Sequence, residues 1–179
     1  MIKDIKEILL SEEEISKKIK ELGIKISEDY KGKNLLVVGI LKGSVIFASD
    51  LIKSITIPCE IDFMAVSSYG SSTETSGVVR ILKDLDHSIE GKDIIIVEDI
   101  IDSGVTLDYL LKYLKTRKAN SIEIITLLTK PTRRKVDIDV KYCGFEVPDE
   151  FLVGYGLDYS EKYRNLPFIG ILKEEVYKN

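Results

Sequence analysis

Apolar positions follow two different rhythms along this 179-residue chain. Ile15, Ile19, Leu22 and Ile26 recur at helical spacing, and Ser11-Glu-Glu-Glu14 ahead of them fits a capping box. Residues 11–30 are therefore predicted as an amphipathic helix, with Gly23 weakening its middle. From Leu35 the rhythm changes. Leu35 to Ile40 is an unbroken apolar run, as expected of a strand covered on both faces. A turn at Leu41-Lys-Gly-Ser44 leads into a short helix over 44–53. Further strands are predicted over 60–66, 78–82, 93–97 and 122–128, and shorter ones over 140–143, 151–153 and 168–172. Leu107, Leu110, Leu111 and Leu114 mark the packing face of a helix from Val105 to about Lys118.

Strands that alternate with helices predict an α/β fold with a doubly wound, mainly parallel central sheet flanked by helices. Ligands of such sheets bind at the carboxyl ends of the strands. That rule gathers Lys42, Glu98, Asp99, Asp102 and Lys130 around one crevice.

Composition narrows the picture. With 44% hydrophobic and 31% charged residues the chain can build an ordinary globular core. A net charge of −4 argues against a dedicated nucleic-acid binder. Cys59 and Cys143 lack metal-type spacing and are expected as reduced thiols. The charged N-terminus has no signal-type apolar core, and no apolar run approaches membrane-spanning length, so a cytoplasmic setting is expected. Residues 67–77 are small and polar around Tyr69; residue types alone favour a surface loop over a lid.

The candidate chemistry concentrates in Asp93-Ile-Ile-Ile-Val-Glu-Asp-Ile-Ile-Asp-Ser-Gly-Val-Thr106. A buried strand runs into Glu98, Asp99 and Asp102, and a small-residue turn then opens a helix. The helix N-terminus attracts phosphate, and the carboxylates attract a divalent cation or sugar hydroxyls. An Asp-Ser-Gly turn alone is as well explained by a plain helix cap; carboxylates ending an apolar strand tip the balance, because they are costly to bury without a partner. Neither a triphosphate-binding Gly-x-x-x-x-Gly-Lys string nor a dinucleotide fingerprint occurs. A phosphoacceptor receiver domain fits poorly, since its acidic pair lies near the N-terminus. His87, the single histidine, sits in a charged turn, which leaves Ser-His or Cys-His catalysis unsupported. The basic run Lys130-Pro-Thr-Arg-Arg-Lys135 is expected as a solvated loop, with a minor nucleic-acid contact as the alternative.

Val97 to Thr106 closely resembles the phosphoribosyl-pyrophosphate signature of the type I phosphoribosyltransferases. Leu41-Lys-Gly-Ser44, Ser68-Tyr69-Gly70, Lys130-Pro131, Phe151 to Tyr159 and Arg164-Asn-Leu-Pro167 extend the resemblance to the bacterial 6-oxopurine branch of that family. The resemblance implies one domain over 1–179, with a core of about 35–145, a small hood from about 1–30 and 146–179, and a lid over about 67–77. It implies transfer of phosphoribose from phosphoribosyl pyrophosphate to hypoxanthine or guanine with Mg²⁺. It also implies residue roles. Asp102, Ser103, Gly104, Val105 and Thr106 would hold the 5′-phosphate. Glu98 and Asp99 would face the ribose hydroxyls and a metal, with Asp102 as general base. Lys130 would donate to the purine O6, Phe151 would stack on the base and Leu152 would contact its edge. Asp158 would anchor a second metal near the base. Leu41, Lys42, Gly43 and Arg164 would bind pyrophosphate, and in this family that turn can carry a cis non-proline bond. Ser68 and Tyr69 would tip the lid. A homodimer or homotetramer is implied, with no nucleic-acid or membrane partner. Ser103 and Val105 replace a more usual Thr and Lys, and Leu152 a more usual Val. Two alternatives stay open: a regulator that senses phosphoribosyl pyrophosphate and binds nucleic acid, and a transferase preferring xanthine.

Overall fold

The unbroken apolar runs form the inner strands of a six-stranded sheet in the computed structural model, which describes residues 1–68 and 79–178. In chain order the elements are β1 (Ile5–Leu10), α1 (Glu12–Asp29), β2 (Leu35–Leu41), α2 (Val45–Ser54), β3 (Glu60–Ser68) and β4 (Val79–Lys83). They continue as β5 (Asp93–Ile101), α3 (Val105–Lys115), β6 (Ser121–Thr129), β7 (Tyr142–Glu146), β8 (Leu152–Val153), β9 (Ile169–Leu172) and α4 (Glu174–Tyr177).

The sheet order is β4-β3-β2-β5-β6-β7. All neighbours pair in parallel except β4, which runs antiparallel to β3 at one edge. Successive residues of β5 point to opposite faces. Ile95 and Val97 pack with Ile15, Ile19 and Phe47 of α1 and α2. Ile94 and Ile96 pack with Leu107, Leu110 and Leu114 of α3. Each such side chain contributes on the order of 1.5–3 kcal/mol when fully buried. The expected doubly wound α/β fold is thus present. The capping box is as expected: Glu14 N donates to Ser11 Oγ at 3.3 Å while Ser11 N donates to Glu14 Oε2 at 2.8 Å.

A second, antiparallel sheet, β1-β9-β8, joins the two ends of the described chain. Strand β1 is missing from the expected elements, because its partner β9 lies far along the sequence and Ile8 is exposed. Strand β5 continues past Val97 because Glu98, Ile100 and Ile101 still pair with Thr126, Leu128 and Thr129 of β6. The acids therefore lie within the strand. Strand β7 lies two residues further along than expected, in register with Ile125 to Thr129. The stretch expected as a lid falls, from Tyr69 to Gly77, outside the described residues; Ser68 ends β3. Among the described residues no helix is long and apolar enough to cross a membrane.

Candidate active site

The parallel strands β2, β5 and β6 end side by side, and the turns that follow them bring the expected residues together. Glu98 and Asp99 are only partly exposed, and neither joins an ion pair among the described residues. Burial holds the Glu98 carboxyl well above its ordinary range, and the Asp99 charge adds to this. Burial also pushes Asp99 up to about 6, against the Ile100 and Asp99 backbone N–H groups and the Arg164 charge, which pull it down. Ile100 N donates to Asp99 Oδ1 at 2.8 Å. Two acids driven toward protonation by desolvation form a site that a divalent cation or hydroxyl donors would relieve.

The turn after β2 lies against this pair. Its Leu41–Lys42 peptide bond is cis. A Cβ on Gly43 would overlap the Asp99 carboxylate, and one on Gly156 would overlap the Gly43 carbonyl, so backbone packs directly against the acid. Arg164 locks this corner. Its Nη1 donates to Gly156 O at 2.8 Å and its Nη2 lies 2.9 Å from Asp158 Oδ1. Glu161 reaches both cations of the corner, with Oε2 3.0 Å from Lys42 Nζ and Oε1 3.4 Å from Arg164 Nη2.

The loop after β5 encloses a cavity of about 140 Å³ lined by Asp102, Ser103, Gly104 and Thr106, with Ile100, Ile101 and Leu107 behind them. Gly104 makes the turn at φ 81°, where a Cβ would also lie 2.9 Å from Ile138. The N-cap residue of α3, Gly104, offers no side chain, and Val105 N donates to Ser103 Oγ at 3.4 Å. The N–H groups that follow are available to an anion. Val105 does not line the cavity, as its position at the start of the helix dictates.

A larger cleft of about 510 Å³ adjoins it, lined in part by Ile100, Asp102, Lys130, Phe151, Leu152 and Asp158. Lys130 is 7% exposed. Its Nζ donates to Glu150 O at 2.7 Å and lies 3.7 Å from Asp149 Oδ1. A charged amine held this deeply leaves its remaining donors for a ligand acceptor. Arg133 Nε forms an ion pair with Asp102 Oδ1 at 2.7 Å.

The structure brings together Asp99, the Leu41-Lys42-Gly43 turn, Asp158 and Arg164 at one corner, with Glu98 next to Asp99 in β5, and Asp102, Lys130, Phe151 and Leu152 around the cleft. Ser68 is placed only by its strand, and Tyr69 lies outside the described residues. The basic run is exposed as expected over Pro131 to Arg133 and at Lys135, while Lys130 is buried and Arg134 half-buried. Arg133 faces Asp102 and, at 3.2 Å, Asp149, while Arg134 Nη2 donates to Thr129 Oγ1 at 2.8 Å. Glu161, Arg133 and the Glu150 carbonyl escape sequence reasoning. Only the nearness of Arg133 to Lys130 in the chain hints at any of them.

Residues 6–160 match the family described as phosphoribosyl transferase domain. The chain is 58% identical over 176 residues to a hypoxanthine-guanine phosphoribosyltransferase of Bacillus subtilis, covering 98% of each. It is 59% identical to one of Staphylococcus aureus over 100% of both chains. A solved hypoxanthine phosphoribosyltransferase of Staphylococcus aureus superposes with a TM-score of 0.97 at 59% identity, over 100% of this chain and 97% of that one.

Proposed function

The chain belongs to the phosphoribosyl transferase domain family, and from that premise we propose that it transfers the 5-phosphoribosyl group of phosphoribosyl pyrophosphate to N9 of a 6-oxopurine. With hypoxanthine or guanine the products are IMP or GMP and pyrophosphate, a purine-salvage reaction. The observation that carries this reading is Lys130, a buried ammonium in a cleft that Asp102 and Asp158 also line.

The residues divide the work by position. The N-terminus of α3, with Ser103, Gly104 and Thr106, suits a 5′-phosphate. Lys130 donates to the purine O6, and Phe151 and Leu152 take the ring face and edge. As N9 bonds to the anomeric carbon and the bond to pyrophosphate breaks, positive charge grows on the ribose. Glu98 and Asp99 would supply the negative groups that favour that charge, once a cation or hydroxyl donors offset their burial. Asp102, which lines the cleft and is ion-paired with Arg133, takes the proton that the base loses. A placed general base of this kind supplies roughly 10²–10⁴ in rate. Lys42, Gly43 and Arg164 receive the leaving pyrophosphate.

Mg²⁺ fits this donor set. The ion needs only one or two carboxylates when phosphate oxygens and water complete its shell. Asp99, against the Gly43 turn, would be one such carboxylate and Glu98, beside it in β5, the other. Among the described residues no group of three His, Cys, Asp or Glu side chains could hold a metal, so phosphate oxygens and water would have to supply the remaining positions. Asp158 is paired with Arg164 and would join through water. The metal would neutralise the pyrophosphate oxygens.

Two free thiols, Cys59 and Cys143, suit the cytoplasmic setting included in this proposal. Exposed Ile61 and Leu82 on adjoining strands favour the homodimer or homotetramer it also includes. Nucleic-acid binding is disfavoured, because Arg133 and Arg134 are engaged within the protein. The test is turnover of a panel of bases with phosphoribosyl pyrophosphate and Mg²⁺. Hypoxanthine and guanine should react and adenine and uracil should not; a preference for xanthine would favour the alternative transferase.

A further inference from the structure

Phe151, the ring proposed to stack on the base, is itself stacked. Tyr177 of α4 lies with its ring centroid 4.7 Å from that of Phe151 and the planes 27° apart. Tyr159 meets Phe151 edge-on, at 5.5 Å and 90°. One face of Phe151 is thus covered by Tyr177, and both rings line the cleft that Ile100 also lines. The backbone ties the two rings together. Leu172 N donates to Phe151 O at 2.8 Å, and Lys173 N, next in the chain, donates to Asp4 O at 2.9 Å, so α4 starts from a fixed point. Phe151, Tyr177, Tyr159, Phe168 and Val176 pack against the same small cluster of buried residues, which includes Leu172.

We propose that Tyr177 is a positioning residue for the base: it backs Phe151, so that the stacking ring is held before the purine arrives. This rests on the assignment of Phe151 to the base. A half-buried aromatic ring that must be ordered on binding weakens affinity, and a ring already held does not incur that loss. Aromatic pairs in this offset geometry are favourable beyond the area they bury. The effect should fall on base binding alone. Tyr177 is remote in sequence from the phosphate loop and from the Lys42–Arg164 corner, and it lines only the larger cleft. The stack uses the ring and not the hydroxyl, so phenylalanine should serve equally well.

The experiment compares Tyr177→Ala, Tyr177→Leu and Tyr177→Phe with the parent protein in steady-state assays. The measured quantities are KM for hypoxanthine, KM for phosphoribosyl pyrophosphate, and kcat. The alanine and leucine variants should raise the hypoxanthine KM about threefold to tenfold, the loss expected for one unordered side chain. The other two constants should stay within about twofold, and Tyr177→Phe should behave as the parent. The leucine variant keeps apolar bulk and serves if alanine prevents folding. An unchanged hypoxanthine KM overturns the proposal. So does a lowered one, which would make Tyr177 a competitor of the base, or a parallel loss in all three constants. Failure of the parent to turn over any 6-oxopurine would instead overturn the function on which the proposal rests.

Discussion

Replacing Lys130 with methionine keeps an unbranched apolar stem of similar length and deletes the ammonium. The side chain is 7% exposed and lines the cleft, so the deleted group is one that water screens little. A hydrogen bond to a charged group contributes about 1.5–3 kcal/mol. Lost from the interaction with O6, that is about tenfold to about a hundredfold in kcat/KM for hypoxanthine. Adenine presents an amino group at the same position, which faces another donor in the parent protein and loses nothing in the variant. The ratio of kcat/KM for hypoxanthine over adenine should therefore fall by at least tenfold. A second effect must be separated. Lys130 Nζ also donates to Glu150 O at 2.7 Å, next to Phe151, and removing the donor leaves that carbonyl without its partner. General damage of this kind would lower the melting temperature and depress both bases equally. An unchanged ratio between the bases would refute the reasoning, whatever happened to the absolute rates.

Other perturbations test the neighbouring groups. Gly43→Ala drives a methyl group into the Asp99 carboxylate, so kcat should fall about a hundredfold, as misplacement by about 1 Å can cost, while the melting temperature moves by only a few degrees. Glu161→Gln releases Lys42 and Arg164 from an exposed carboxylate; KM for phosphoribosyl pyrophosphate should fall, though by less than about fivefold, and a rise would show that Glu161 assists binding. Asp84 gives a pH prediction. Burial alone would raise its carboxyl, but hydrogen bonds from Arg117, Tyr113 and the Leu85 N–H hold it below its ordinary value. A folded-state pKa below the unfolded one stabilises the protein above the unfolded value, and that contribution is lost as pH falls through the folded value. The parent should therefore out-melt Asp84→Asn at neutral pH, and the gap should close toward pH 3; a gap that widens in acid would contradict this.

Much of the fold is legible in the sequence because its strongest signals are local. Strands β2, β5 and β6 are runs of Val, Ile and Leu covered on both faces, and α1 begins with a cap that the structure contains. What is not legible depends on distant partners. Strand β1 becomes a strand only because β9 pairs with it. Gly23 reads as a weak point in a helix, yet Ser54 of α2 packs against it too closely for a Cβ. The site shows the same division. Three acids, a small-residue turn and a helix start are visible as residue types, and Lys130 as the end of a strand. The contact of Gly43 with Asp99, the ties of Glu161 and the stack of Tyr177 on Phe151 join segments that are far apart in the chain. The division of labour among the acids comes from the family resemblance, since spacing alone does not distinguish them.

The most direct test of the site is a crystal structure with IMP bound. The expected density places the 5′-phosphate at residues 102–106, O6 within hydrogen-bonding distance of Lys130 Nζ, and the purine on the face of Phe151 that Tyr177 leaves free. Nucleotide bound outside this cleft, or with O6 turned away from Lys130, would contradict it.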